Sequence, residues 1–250
     1  MKVPRDKEAS LDAIDAIDAV DWSAIPNPTG DRWDDPEGVA HALRMLTVST
    51  TANETGDAAA GLAGRGFVCG HAAMVFPAAY AATPILLDLV ANGRRPRIKD
   101  AAVGLLSDAL GFFPPADHNR VDTDHGADIP LCCAIAQHIR DRRDLLLVHG
   151  RGGKRLVSEA ERHWRLTIEE AECLPDGGQT ALAFLDGTPF ATPTEAEVHT
   201  PAAVLSASTV WIDALAADAS GAAAVHFRAA PSEFLPGCTL RPAECGLREH

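Results

Sequence analysis

Aromatic residues are scarce in this 250-residue chain, at 5%, with a single tyrosine, and bases are outnumbered by acids, 22 against 35. A net charge of −13 repels phosphate backbones, so nucleic acid is excluded as a default partner. No stretch reaches the roughly 18 unbroken apolar residues of a membrane span. The closest, 72–90, is interrupted by Pro77, Pro84 and Asp88. The opening MKVPRDKEAS has no apolar core of a signal peptide, and the expected location is cytoplasmic. The six cysteines form no C-x-x-C pair and no disulfide-dense scaffold, which suits reduced thiols. Two enzymatic signatures are also missing. There is no G-x-S-x-G elbow, and His149-Gly150-Arg151-Gly152-Gly153-Lys154-Arg155 lacks both the preceding strand and the following hydroxyl of a phosphate loop.

Alanine supplies much of the 46% hydrophobic fraction, and alanine favours helices, while 20 glycines and 17 prolines cut the chain into short elements. Leu11, Ile14, Ile17 and Val20 recur at helical spacing behind Ser10, a residue suited to capping. Asp35-Pro36-Glu37 starts a second helix, with Val39, Leu43 and Leu46 as its buried stripe. A third is expected over about 52–64, an apolar one over 75–91, and another over 98–110. Residues 114–128 read as a polar, proline-led loop. Helix resumes after Ile129-Pro130, breaks at Gly150–Gly153, and restarts at Ser158-Glu159-Ala160-Glu161, where serine and a glutamate three residues later form a capping box. Ala160, Trp164, Ile168 and Ala171 carry that last stripe to about Leu174. Beyond it the pattern changes. Thr180–Leu185 reads as a strand ended by Asp186-Gly187, Thr209–Leu215 and Ala222–Ala229 as a hairpin, and the tail from Pro231 as coil.

The Leu11–Trp22 segment, the Asp35-Pro36 helix with Leu43, and the block Val75-Phe76-Pro77-Ala78-Ala79-Tyr80-Ala81-Ala82-Thr83-Pro84-Ile85-Leu86 resemble HEAT-like repeat proteins common in high-GC actinobacteria, over residues 10–112. The resemblance implies paired helices stacked into a superhelix with a concave binding face. The expected fold is therefore mainly α: a short HEAT-like α-solenoid with a smaller α+β C-terminal extension. Its divisions are helical repeats over 8–112, a linker over 113–128, a further helical pair over 129–174, and a β-containing extension over 175–250. The expected function is an interaction protein binding a protein or peptide partner. The alternative is a cofactor-independent enzyme of actinobacterial secondary metabolism, acting on a small-molecule substrate by His/Asp acid–base chemistry.

Candidate reactive residues are few. Cys69-Gly70-His71 pairs a thiol with an imidazole, although one intervening residue suits them poorly to direct contact on a helix. Asp117, His118, Asp122, Asp124, His125 and Asp128 crowd one loop, but their spacing matches no known metal loop, and a solvated linker accounts for them. His71, Asp124 and His125 are taken as the acid–base candidates. No cofactor-binding or metal-ligating residue is assigned.

Overall fold

The computed structural model describes residues 13–28, 35–64, 66–175, 177–200, 208–228 and 237–249. The chain forms two compact units. One comprises 1–119, 135–159 and 249–250, and the other 120–134 and 160–248.

The first unit is helical. After a helical segment at 13–18 and a 3-10 turn at Trp22–Ala24 come α1 (Pro36–Val48) and α2 (Ala52–Leu62). Asp35 caps α1 by accepting a hydrogen bond from the Glu37 amide, with Pro36 at the first position, where its missing N–H costs nothing. Thr51 and Glu54 form a reciprocal capping box at α2. A short hairpin, β1 (Val68–Cys69) and β2 (Met74–Val75), precedes α3 (Ala78–Asn92) and α4 (Pro96–Gly111). The apolar segment that begins at Phe67 thus opens as a hairpin and only then becomes a helix. Pro84 lies inside α3, and the buried Thr83 hydroxyl donates to the Ala79 carbonyl. Leu43, Leu46, Leu62, Leu86 and Leu106 are fully buried. Later in the chain, α6 (Arg143–Leu147) and α7 (Gly150–Ala160) belong to this unit too.

The second unit overturns the sequence-based fold. It is a closed antiparallel barrel of β5 (Arg165–Cys173), β6 (Gln179–Asp186), β7 (Thr194–His199), β8 (Ser208–Ala217), β9 (Ala222–Phe227) and β10 (Thr239–Pro242), in the order β10-β5-β6-β9-β8-β7. Alongside it are the hairpin β3 (Arg120–Thr123) and β4 (Gly126–Pro130), the start of α5 (Leu131–Asp141), and the turn α8 (Ala243–Gly246). The chain is therefore mixed α and β. It is not a mainly-α HEAT-like solenoid, and the solenoid-based function and its actinobacterial setting lose their footing with it. Three local readings failed together. Gly150–Gly153 begins a helix instead of breaking one, and the 158–174 helix is really the end of α7 followed by β5. The tail contributes β10, which closes the barrel by pairing with both β5 and β7.

Alternation explains the barrel. Leu166 and Ile168 on β5, Ala181, Ala183 and Leu185 on β6, Val210 and Ile212 on β8, and Ala223, Val225 and Phe227 on β9 all face one core. Trp164 joins that core, stacked on Phe190 with ring centroids 4.0 Å apart. Small alanines on β6 and β9 let a six-stranded barrel fill its narrow interior with side chains. The β8–β9 turn runs through Asp218, whose carboxylate accepts from the Ser220 amide and hydroxyl at 2.8 and 2.6 Å. Gly221 completes it at φ +92, where a side chain would meet Leu185 and Phe184. Among the described residues no helix is long and apolar enough to cross a membrane.

Candidate metal centre

Within the barrel unit, three separate stretches of chain bring four donor side chains together. Cys132 and Cys133 lie in the first turn of α5, His163 in the turn before β5, and Cys245 in α8 directly after β10. Their ligand atoms all lie within 4.8 Å of one another, with the three cysteines buried and the histidine half-buried. His163 Nδ1 sits 3.3 Å from Cys245 Sγ, and Cys132 Sγ lies 4.0 Å from the Cys245 carbonyl oxygen. Each position has a local cause. Pro130 ends β4, so the following helix begins at once and carries Cys132 and Cys133 in its first turn. The register of β10 against β7, Pro242 opposite Ala196, then delivers α8 to the same place.

The electrostatics favour negative charge there. Hydrogen bonds from the Cys133 and Cys245 thiols outweigh burial and hold Cys132 well below the ordinary thiol range, aided by His163. Burial, followed by the shared proton with Cys132, pushes Cys133 up. The hydrogen bonds to Cys132 and Cys133, reinforced by burial, push Cys245 up. Of the three thiols, Cys132 is thus the one most disposed to ionise. The α5 N-terminus favours that thiolate, and the fully buried Arg241 guanidinium favours negative charge on Cys133.

Three sulfurs and one imidazole nitrogen are the donor types of a Cys3His zinc site, where Zn–S is about 2.3 Å and Zn–N about 2.0–2.1 Å, and here they lie close enough together to hold a metal ion. Thiolate and imidazole are soft or borderline donors, so the set suits zinc-like ions and not magnesium or calcium. A separation of at most 4.8 Å is too tight to enclose a multi-iron cluster. Among the described residues no other set of histidine, cysteine and carboxylate donors converges in this way.

The sequence-based candidates lie elsewhere. His71 is exposed in the β1–β2 turn of the helical unit, and Asp124 and His125 are exposed at the tip of the β3–β4 hairpin in the barrel unit. Asp124 and His125 are thus neighbours on one turn, and neither belongs to the thiol cluster. The carboxylates around them do turn chemistry: Asp122 accepts from the Asp128 amide at 3.0 Å, and Asp128 faces Arg120. An open trough of about 540 Å³ also crosses β5, β6, β9 and β8, lined by Leu182, alanines, Glu170, Glu172 and His226, without converging hydrogen bonds. The four clustered residues were missed because their signal is dispersed. A vicinal Cys-Cys pair opening a helix was the one local hint, and His163 and Cys245 become partners only once the barrel closes. No protein-family model matches the chain, and no curated protein matches it either.

Proposed function

We propose that the barrel unit is a metal-binding module that holds one divalent ion of the zinc class in a closed Cys3His site. The convergence of four donor atoms within 4.8 Å carries this reading. Four protein donors fill a tetrahedral shell, so the ion has no open position for substrate, and its role is structural. It ties the start of α5, the β5 approach and the segment after β10 into one body, and its binding free energy becomes folding free energy of the unit. A thiol-nucleophile reading fits less well, because Cys132, the thiol held low, and Cys245, which touches His163, are only 2% and 3% exposed.

The test is elemental analysis of full-length protein purified under reducing conditions without chelator. One equivalent of zinc per chain is expected, falling to a small fraction in a Cys132→Ser/Cys133→Ser double variant. Less than a tenth of an equivalent in the wild type, after zinc is offered and excess removed, would exclude the reading.

A further inference from the structure

Beside the thiol cluster, in the same unit, lies a buried ion pair whose placement needs its own explanation. Glu197 is 3% exposed although it alternates with the core residue Ala196 on β7. The outward side of β7 is covered by α8 and β4. Arg120, at the start of β3, grips this carboxylate with both arms: Nη1 donates to Oε1 at 2.5 Å and Nη2 to Oε2 at 2.9 Å. His199 Nε2 lies 3.0 Å from the same Oε1. Arg120 Nη1 also donates to the Asp128 carbonyl at 2.9 Å, which fixes the guanidinium to its own hairpin.

The backbone of Gly246 rests directly on this pair. A Cβ at that position would collide with Glu197 Oε2 and Arg120 Nη2. Gly246 does not occupy the left-handed region, so its backbone conformation does not demand glycine. Space does. The residue before it is Cys245, the donor that closes the ligand set.

We propose that the Arg120–Glu197 pair is the positioning platform for Cys245, setting that ligand's distance from Cys132, Cys133 and His163 through the close approach of Gly246. The inference rests on the metal reading of the Cys3His cluster. Arg120 and Glu197 touch no metal; they act through the backbone of α8. A rigid bidentate pair suits this task, because arginine and carboxylate lock in one plane and offer a flat, incompressible surface. Supporting residues of this kind hold a ligand to within fractions of an ångström, and their loss costs metal affinity about 10–100-fold.

Cobalt(II) is the probe, because its sulfur-to-metal charge-transfer absorption grows with the number of bound thiolates. Wild-type full-length protein should take up one cobalt with the band strength of three thiolates. Glu197→Gln is expected to lower cobalt and zinc affinity by about 10–100-fold. It should also remove about a third of the band, since one of three sulfur ligands is displaced. Gly246→Ala, which pushes on the same contact from the other side, should give the same signature. Arg120→Lys keeps the charge without the bidentate grip and should fall between. Arg228→Ala, which breaks an exposed ion pair with Asp213 elsewhere on the barrel, should change neither readout.

Near-UV circular dichroism from Trp164 in the barrel core reports whether each variant folds. If Glu197→Gln does not, Gly246→Ala and Arg120→Lys carry the test. Full band strength and affinity within about threefold of wild type in folded Glu197→Gln and Gly246→Ala would overturn the proposal, leaving the pair a strut for β7. Wild-type protein that binds no cobalt and no zinc would instead overturn the metal reading, and the platform with it.

Discussion

Cys132, Cys133 and Cys245 show how three identical side chains acquire different acidities from one another. The first is held low by the hydrogen bonds of its neighbours, while Cys133 is pushed up chiefly by burial and Cys245 chiefly by its hydrogen bonds to the other two thiols. A divalent ion binds thiolates and must displace thiol protons, so uptake at neutral pH should release protons. A pH indicator in weakly buffered solution reads this directly, and release near zero would mean that the thiols are not the ligands. Glu197 gives a second titration. Burial works against its charge, yet the two hydrogen bonds and the charge of Arg120, with the His199 imidazole nearby, outweigh it and hold the carboxyl down to about 2, against an ordinary 4.5. A carboxylate with a lowered pKa stabilises the fold fully above its unfolded value and loses that contribution as pH falls through the folded value. The stability advantage over Glu197→Gln should therefore be on the order of 3 kcal/mol above pH 5 and disappear between about 4.5 and 2. Urea midpoints in chelating buffer, which removes the ion's contribution from both proteins, test this. A gap that did not shrink in that window would contradict it.

Among the elements, the helices of the first unit were legible because their causes are local. Asp35-Pro36-Glu37 writes its own cap, and Val39, Leu43 and Leu46 recur at the period of one helical face. Thr51 and Glu54 do the same for α2, where the alanine-rich body has little to specify it. Removing that box with Thr51→Ala should destabilise the helical unit by about 1 kcal/mol, read as a shifted denaturant midpoint. The strand β5 was misread for an equally physical reason. Ala160, Trp164, Ile168 and Ala171 fall at helical spacing, and the glutamates between them are good helix formers, so local preference argued for helix. Pairing along both sides, with β6 and β10, decides instead for strand, and the alternation of Leu166 with Ile168 then points both into the core. The same holds for β10, whose four residues carry no pattern by themselves. Leu240 on that strand is fully buried between Leu166 and Val198. Leu240→Ala should cost about 2–5 kcal/mol and loosen barrel closure, seen as faster amide exchange in β5 and β7. Unchanged exchange would show that β10 is dispensable.

The whole molecule combines a helical unit and a barrel unit, and the resemblance to helical repeats drew only on residues from the first. Cys132, Cys133, His163 and Cys245 could not be recognised as a set from spacing, because no two of them form a familiar metal pair and the last is delivered by the final strand of the barrel. The charge of −13 argues against a polyanionic partner, and the protein should pass through immobilised heparin at physiological salt without retention. Retention would reveal a basic surface that outweighs the overall balance. A strong chelator should lower the melting temperature of the barrel unit, followed by Trp164 and Trp211.

X-ray absorption at the zinc edge on the full-length protein addresses the central claim most directly. It should show three sulfur scatterers at about 2.3 Å and one nitrogen at about 2.0–2.1 Å, with no bound water. A shell of oxygen and nitrogen alone, or a protein that carries no zinc when zinc is supplied, would contradict it.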